Sequence, residues 1–261
     1  MKIGSCIRSF WLAFAVTVIA IVASAESGAA TSRAEALPRE HERTSTRPTE
    51  VTGVKIPDSQ LARDAAQAIR DAEGELLFEH STRVYYWAAL AGNRRNLSFD
   101  PELLYVAAMF HDFGVTSAYD QSQLRFEVDG ANAAQNFLRS RGVSEADSQK
   151  IWLAIALHTT NGISPHLFPI AALLAEGANM DLVGAGINNF TPAQVDAVET
   201  AHPRPPQFPE RFMQILYDSL KHRPQTTQGT GLADVMAYKD SGFVRRDFSK
   251  LMLESPWTTR R

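Results

Sequence analysis

Five residues have side chains suited to holding a cation, and each stands in or beside apolar text. His80 falls on a helical face with Leu76, Leu77, Val84, Trp87 and Ala91. His111 and Asp112 are adjacent at the end of the apolar stretch Leu103 to Phe110. His158 closes the run Ile151-Trp152-Leu153-Ala154-Ile155-Ala156-Leu157, and Asp181 follows Asn179-Met180. An ionisable group in apolar surroundings is costly unless it is paired, protonated differently or metal-bound. A cluster of imidazoles and carboxylates that meets in space removes that cost by binding a cation. Mixed nitrogen and oxygen donors suit Zn²⁺, Fe²⁺ or Mn²⁺, and a site with an open position can bring the pKa of water toward about 7. Taken singly, a core histidine is more often a hydrogen-bonded packing residue than a ligand. The adjacency of His111 and Asp112 at a helix end raises the case for the group.

The elements that must bring these residues together read as helices. Asp58 can cap a helix running to about Glu73, and the His80 helix spans Glu75 to Ala91, ended by Gly92. Asp100-Pro101 opens the helix that ends at His111, with proline at the first helical position. Further helices run from Glu127 to Arg141, from the Ser144 cap to about His158, and from Phe168 to about Ala178. Thr191-Pro192 opens a short helix to Ala201, and Pro209 to Arg223 and Leu232 to Lys239 complete the set. Convincing strand alternation does not recur. The fold class is therefore all-α, with one domain over residues 56–250 and a tail at 251–261.

The chain has 261 residues, 26 Lys and Arg against 29 Asp and Glu, and a net charge of −3. This is ordinary globular composition with no basic signature for nucleic acid, and none is expected as a partner. The one cysteine, Cys6, excludes an intrachain disulfide and a Cys-rich zinc site. Lys2 and Arg8 precede the apolar run Phe10 to Val22 and the small residues Ala23-Ser24-Ala25, the pattern of a secretory signal peptide over residues 1–25. The run is short for a span, so no stable membrane anchor is expected after cleavage. The expected location is periplasmic or extracellular. Residues 26–55 are rich in Ser, Thr, Arg, Glu and Pro and read as a flexible linker.

The order His80, His111-Asp112, Asp181 resembles the signature of the HD-domain metal-dependent hydrolases. The surrounding text is similar to their cyanamide hydratase-like branch: His80-Ser81-Thr82-Arg83-Val84-Tyr85, then Ala107-Ala108-Met109-Phe110-His111-Asp112-Phe113-Gly114-Val115-Thr116. Arg125 to Ala131, Ile155 to Thr159 and Glu176 to Gly184 also fit, in the right order. The resemblance implies an all-helical fold in which His80, His111, Asp112 and Asp181 are metal ligands, Asp112 thereby sharing in catalysis. It implies zinc first, with Fe²⁺ or Mn²⁺ as alternatives. His158 matches a branch-specific pocket position, and we expect it to shuttle a proton or orient substrate. Thr116 and Glu127 match positions near the site, and Arg83 could reach the same region, although a structural ion pair suits it equally.

The implied reaction adds activated water to a small nitrile-like substrate, cyanamide to urea. The alternative is an HD-type phosphohydrolase acting on a nucleotide or other phosphate ester, for which Arg83, Arg125 and Arg94-Arg95 would supply cations. A third reading is a non-catalytic exported metal-binding protein. Asp129 and Asn132 read as helix-surface residues, and His202-Pro203-Arg204-Pro205-Pro206 as an extended connector.

Overall fold

The computed structural model describes residues 49–72, 74–247 and 250. The leader-like residues 1–25, most of the expected linker and the tail at 251–261 lie outside these. Within the described residues, the helices are α1 (Gln60–Ala72), α2 (Glu75–Arg94), α3 (Pro101–Phe110), α4 (Phe126–Ser140), α5 (Glu145–Ala156), α6 (Pro169–Val183), α7 (Pro192–Ala201), α8 (Phe208–Leu220) and α9 (Leu232–Lys239). The all-α expectation holds. None of the described helices is long and apolar enough to cross a membrane.

The arrangement turns on α2, whose residues are buried without a break from Leu76 to Gly92. A helix buried all round must be enclosed by others. Its most extensive partner is α6, and α3, α1 and α8 also pack on it. The α2–α6 approach is so close that a Cβ on Gly177 would stand 2.5 Å from the Val84 carbonyl oxygen. The large core gathers Trp87, Tyr85, Tyr86, Leu104, Met109, Leu138, Ile151 and Leu173 among others. A second, smaller cluster joins Leu76 and Leu77 of α2 to Val115, Phe126, and Phe208, Phe212, Leu216 and Leu220 of α8.

Several helix starts follow from their caps. Asp100 accepts from the amides of Glu102 and Leu103, Ser144 accepts from that of Asp147, and Thr191 and Gln194 form a reciprocal capping box. The first helix departs from expectation: Ser59 Oγ takes the Ala62 amide, while Asp58 pairs with Arg63. The sixth helix continues past Ala178 to Val183 and ends on Gly184 in the left-handed conformation. Asp181 is therefore a helical residue and not part of a following loop.

The expected linker is too long at its C-terminal end. Residues Glu50–Val51 (β1) and Val54–Lys55 (β2) pair as an antiparallel hairpin, Val51 opposite Val54. Thr52 and Gly53 both have positive φ, as a two-residue hairpin turn with the strand-matching twist requires. Val51 and Val54 are buried in the large core, and Tyr85 Oη donates to the Lys55 carbonyl at 2.8 Å. Two apolar side chains were enough to fold this segment onto the domain, despite the polar text before it.

Candidate metal centre

The central helix brings His80 to the junction of the two clusters, with the Phe212 ring edge-on at 4.8 Å. The third helix ends at the same place, so His111, its C-cap, and Asp112 turn toward His80. Three donor atoms form a small triangle there. His80 Nε2 is 3.2 Å from His111 Nε2 and 3.4 Å from Asp112 Oδ2, and His111 Nε2 is 3.3 Å from that same oxygen. Bonds of about 2.0–2.1 Å in a tetrahedral site place neighbouring donors about 3.3–3.4 Å apart, so the triangle fits one divalent ion. All three residues are buried.

The protons on these rings leave a place for a cation. His111 Nδ1 lies 2.7 Å from the Ala108 carbonyl, which can only accept, so Nδ1 carries the hydrogen and Nε2 the lone pair. His80 Nδ1 lies 2.7 Å from the ionised Asp181 Oδ2, which fixes the same tautomer. Two lone pairs and the Asp112 carboxylate then face one another. Asp112 Oδ2 is buried and has no well-formed hydrogen bond. Without a metal, a proton must serve. Burial opposes charge on His80, but its contacts with Asp112 and Asp181 outweigh it and its pKa is raised. Burial likewise works against ionised Asp112, yet the neighbouring His111 and His80 hold its pKa well below the usual carboxylate range.

His158 stands just outside the triangle. Its Nε2 is 3.8 Å from Asp112 Oδ1, and its ring meets that of His111 edge-on at 5.1 Å. Nδ1 donates to the Ile155 carbonyl at 2.7 Å, leaving Nε2 as an acceptor. Burial, followed by the charge of His111, lowers its pKa, so the ring is neutral at pH 7. His158 also lines a cavity of about 430 Å³ with Arg95, Thr160, Asn161, Ser164, Glu176 and Asn179.

Asp181 does not join the converging donors, contrary to its expected place among the ligands. Its Oδ2 accepts from His80 Nδ1 and from Arg83 Nη2 at 3.0 Å. Its Oδ1 accepts from Arg83 Nε at 2.9 Å, Trp87 Nε1 at 2.9 Å and Arg204 Nη2 at 2.7 Å. Both oxygens are filled by N–H donors on the far side of the His80 ring. Burial raises the pKa of this carboxyl, but His80 and Arg83 overcome it and the net shift is downward.

The three expected pocket residues are all buried and bonded within the protein. Arg83 is fully buried and spent on Asp181 and the His202 carbonyl. Thr116 Oγ1 donates to the Phe113 carbonyl and closes a turn. Glu127 is buried, and it accepts from Arg125 Nη2 at 2.5 Å and from the Thr159 hydroxyl. None of the three lines the cavity. Asp129 is not a surface residue: it is buried and accepts from Arg223 Nη1 at 2.5 Å. Asn132 is half-buried and accepts from Trp152 Nε1 at 2.8 Å.

Four residues of the supporting structure went unread in the sequence. His202 is buried against Glu79 at 2.8 Å, and Arg204 reaches Asp181, both from the segment that reads as a plain connector. Arg223, fully buried, ties Asp129 to the Gly114 carbonyl at 2.8 Å, holding the turn that follows Asp112. Trp87 reads as a core residue, with no sign of its bond to Asp181. Periodicity gives no warning of a partner a hundred residues away.

Residues 77–187 match the family model of the HD domain. No curated protein matches the chain.

Proposed function

With residues 77–187 an HD domain, the helical unit of a metal-dependent hydrolase superfamily, we propose that this protein adds water to a small, neutral, nitrile-like substrate, cyanamide being the first to test. The observation that carries the reading is the donor triangle of His80, His111 and Asp112, with His158 beside it in a cavity wall. These residues would hold one divalent ion, Zn²⁺ first by the resemblance to the cyanamide hydratase-like branch, with Fe²⁺ and Mn²⁺ equally suited to the donors. The ion supplies a Lewis acid that makes water acidic enough to attack at neutral pH.

The chain's own residues supply the rest. His80 and His111 present neutral nitrogens, their tautomers fixed by Asp181 and the Ala108 carbonyl. Asp112 offsets charge at the centre. His158, neutral and with its Nε2 free, takes a proton from the attacking water and returns one to the nitrile nitrogen, so that the product tautomerises to urea.

The charges support a neutral substrate over a phosphate ester. Arg83 is committed to Asp181, Arg125 to Glu127, and Arg94 and Arg95 both to Glu176. Arg95, the one arginine among the cavity residues, already has its carboxylate. A phosphate site would need such cations uncommitted. We place the protein outside the cytoplasm on its leader-like residues 1–25. The test is urea formation from cyanamide by residues 26–261 loaded with zinc, beside Asp112→Ala. Turnover lost in the variant supports nitrile hydration. Bound metal with no urea, but with hydrolysis of phosphate esters, would overturn it.

A further inference from the structure

The Asp181 carboxylate is gripped from both ends of the chain's catalytic half. Arg83, one turn along α2 from His80, meets it with two nitrogens, and Trp87 adds a third donor. Those three come from the helix that carries His80 itself. Arg204 does not. It lies beyond the matched HD residues, in the stretch between α7 and α8, and its Nη2 donates both to Asp181 Oδ1 at 2.7 Å and to the Asp181 backbone carbonyl at 2.9 Å. Its Nη1 pairs with Glu199 at the end of α7. The aromatic ring of Phe208 lies under both guanidinium groups, with Arg83 Cζ at 5.0 Å and Arg204 Cζ at 5.5 Å from its centroid.

We propose that Arg204 is a positioning residue for the metal centre: by holding the backbone and side chain of Asp181 together, it keeps Oδ2 on His80 Nδ1 and so keeps His80 Nε2 directed at the metal. The inference rests on the reading of the His80–His111–Asp112 cluster as a metal centre. Arg83 and Trp87 hold the carboxylate from the α2 side, on the same helix as His80. Arg204 adds a hold from a third place: it contacts both the side chain and the main chain of Asp181 and is anchored outside both helices through Glu199. Its two bonds from one nitrogen to one residue set the side-chain torsion of Asp181, which sets which oxygen faces the imidazole. A carboxylate that orients a ligating histidine is a recurrent support of metal sites, and losing such a support typically weakens metal affinity about 10- to 100-fold.

Arg204 keeps a 27% exposed side chain, so the position can be emptied and refilled from solvent. The experiment uses residues 26–261 carrying Arg204→Ala, Arg204→Lys or the natural arginine. Co²⁺ affinity is measured by its visible absorption, and the tautomer of His80 in the metal-free protein, at a pH high enough to leave the ring neutral, by long-range proton–nitrogen NMR on histidine-labelled protein. We expect the natural protein to show His80 protonated at Nδ1. Arg204→Ala should bind Co²⁺ about 10- to 100-fold more weakly and show a mixture of His80 tautomers. Added guanidinium ion should restore both, and Arg204→Lys should restore them in part. Unchanged affinity and an unchanged tautomer in a folded Arg204→Ala protein would overturn the inference. If Arg204→Ala does not fold, Arg204→Lys and Glu199→Gln carry the same comparison, with the same overturning result. If the natural protein takes up no Co²⁺, the metal reading itself fails, and the His80 tautomer still tests whether Arg204 acts through Asp181.

Discussion

His111 and Asp112, neighbours in sequence, turn Nε2 and Oδ2 to within 3.3 Å of each other at the end of α3. A helix would send consecutive side chains about 100° apart. The chain leaves helical geometry at Asp112, whose φ and ψ are −103° and 5°, and this local change makes the pair a chelate. Without Asp112, two imidazole lone pairs face each other with no carboxylate between them. Asp112→Ala and His111→Ala should each lose bound metal, read by elemental analysis as a fall from about one ion per chain to under about a tenth. At zinc a hundred times its dissociation constant, the intact protein gains about 2.7 kcal/mol of stability. Thermal unfolding with and without zinc should show that gain in the natural chain and not in either variant.

His158→Ala should retain the metal and lose turnover by about 10²- to 10⁴-fold, the usual contribution of a placed acid–base group. Metal lost with the side chain would make His158 a ligand. Burial lowers its pKa, so the working neutral ring persists below the ordinary histidine value of about 6.5. The acid limb of kcat/KM should therefore lie below about pH 6.5 in the natural protein. That limb should be missing from whatever activity His158→Ala retains.

Asp181→Asn leaves Arg83 buried with no carboxylate to face it. Breaking a buried pair from one side costs about 3–5 kcal/mol, which denaturant unfolding at pH 7 should show. The sign with pH follows from the depressed carboxyl: its stabilisation is complete above the unfolded value of about 3.9 and is lost as pH falls toward the folded one. The gap between the two proteins should hold steady from neutral pH to about pH 4 and close below it. A gap that instead closes near pH 6 would assign the coupling to a histidine.

Gly114→Ala should be damaging well beyond its size. A Cβ there would sit 2.0 Å from the Phe126 carbonyl oxygen, a backbone atom that cannot step aside. Overpacking of this kind costs about 1–3 kcal/mol, and the strain falls on the turn that aims Asp112. Reduced unfolding stability together with weaker Co²⁺ binding is the expected result. Lost stability with unaltered binding would separate the turn from the site.

The helices were legible because their signals are local. Asp100-Pro101, Ser144 and Thr191-Pro192 announce their own starts, and a three-to-four spacing marks the buried face on which His80 sits. His111 and Asp112 were legible as a pair because they are adjacent. Asp181 was legible as a site residue, yet its role was not. Whether a carboxylate faces a metal or the back of a histidine depends on which donors surround it, and Arg204 and Trp87 reach it from distant text. Asp129 reads as a surface charge because a helix start suits an acid, and Glu127 gives no sign of burial beside an arginine. Arg125 and Arg223, the cations that accompany their burial, both lie outside that helix.

The staple formed by Arg223 ties the turn after Asp112 to the far end of the sequence. Ribosomes deliver His80, His111 and Asp112 long before Arg204 and Arg223, which hold the rim of the site from the far end of the sequence. A nascent chain released at the last matched residue, 187, would own every ligand and lack both restraints. Residues beyond the matched region thus complete the frame around a centre whose donors all lie within it.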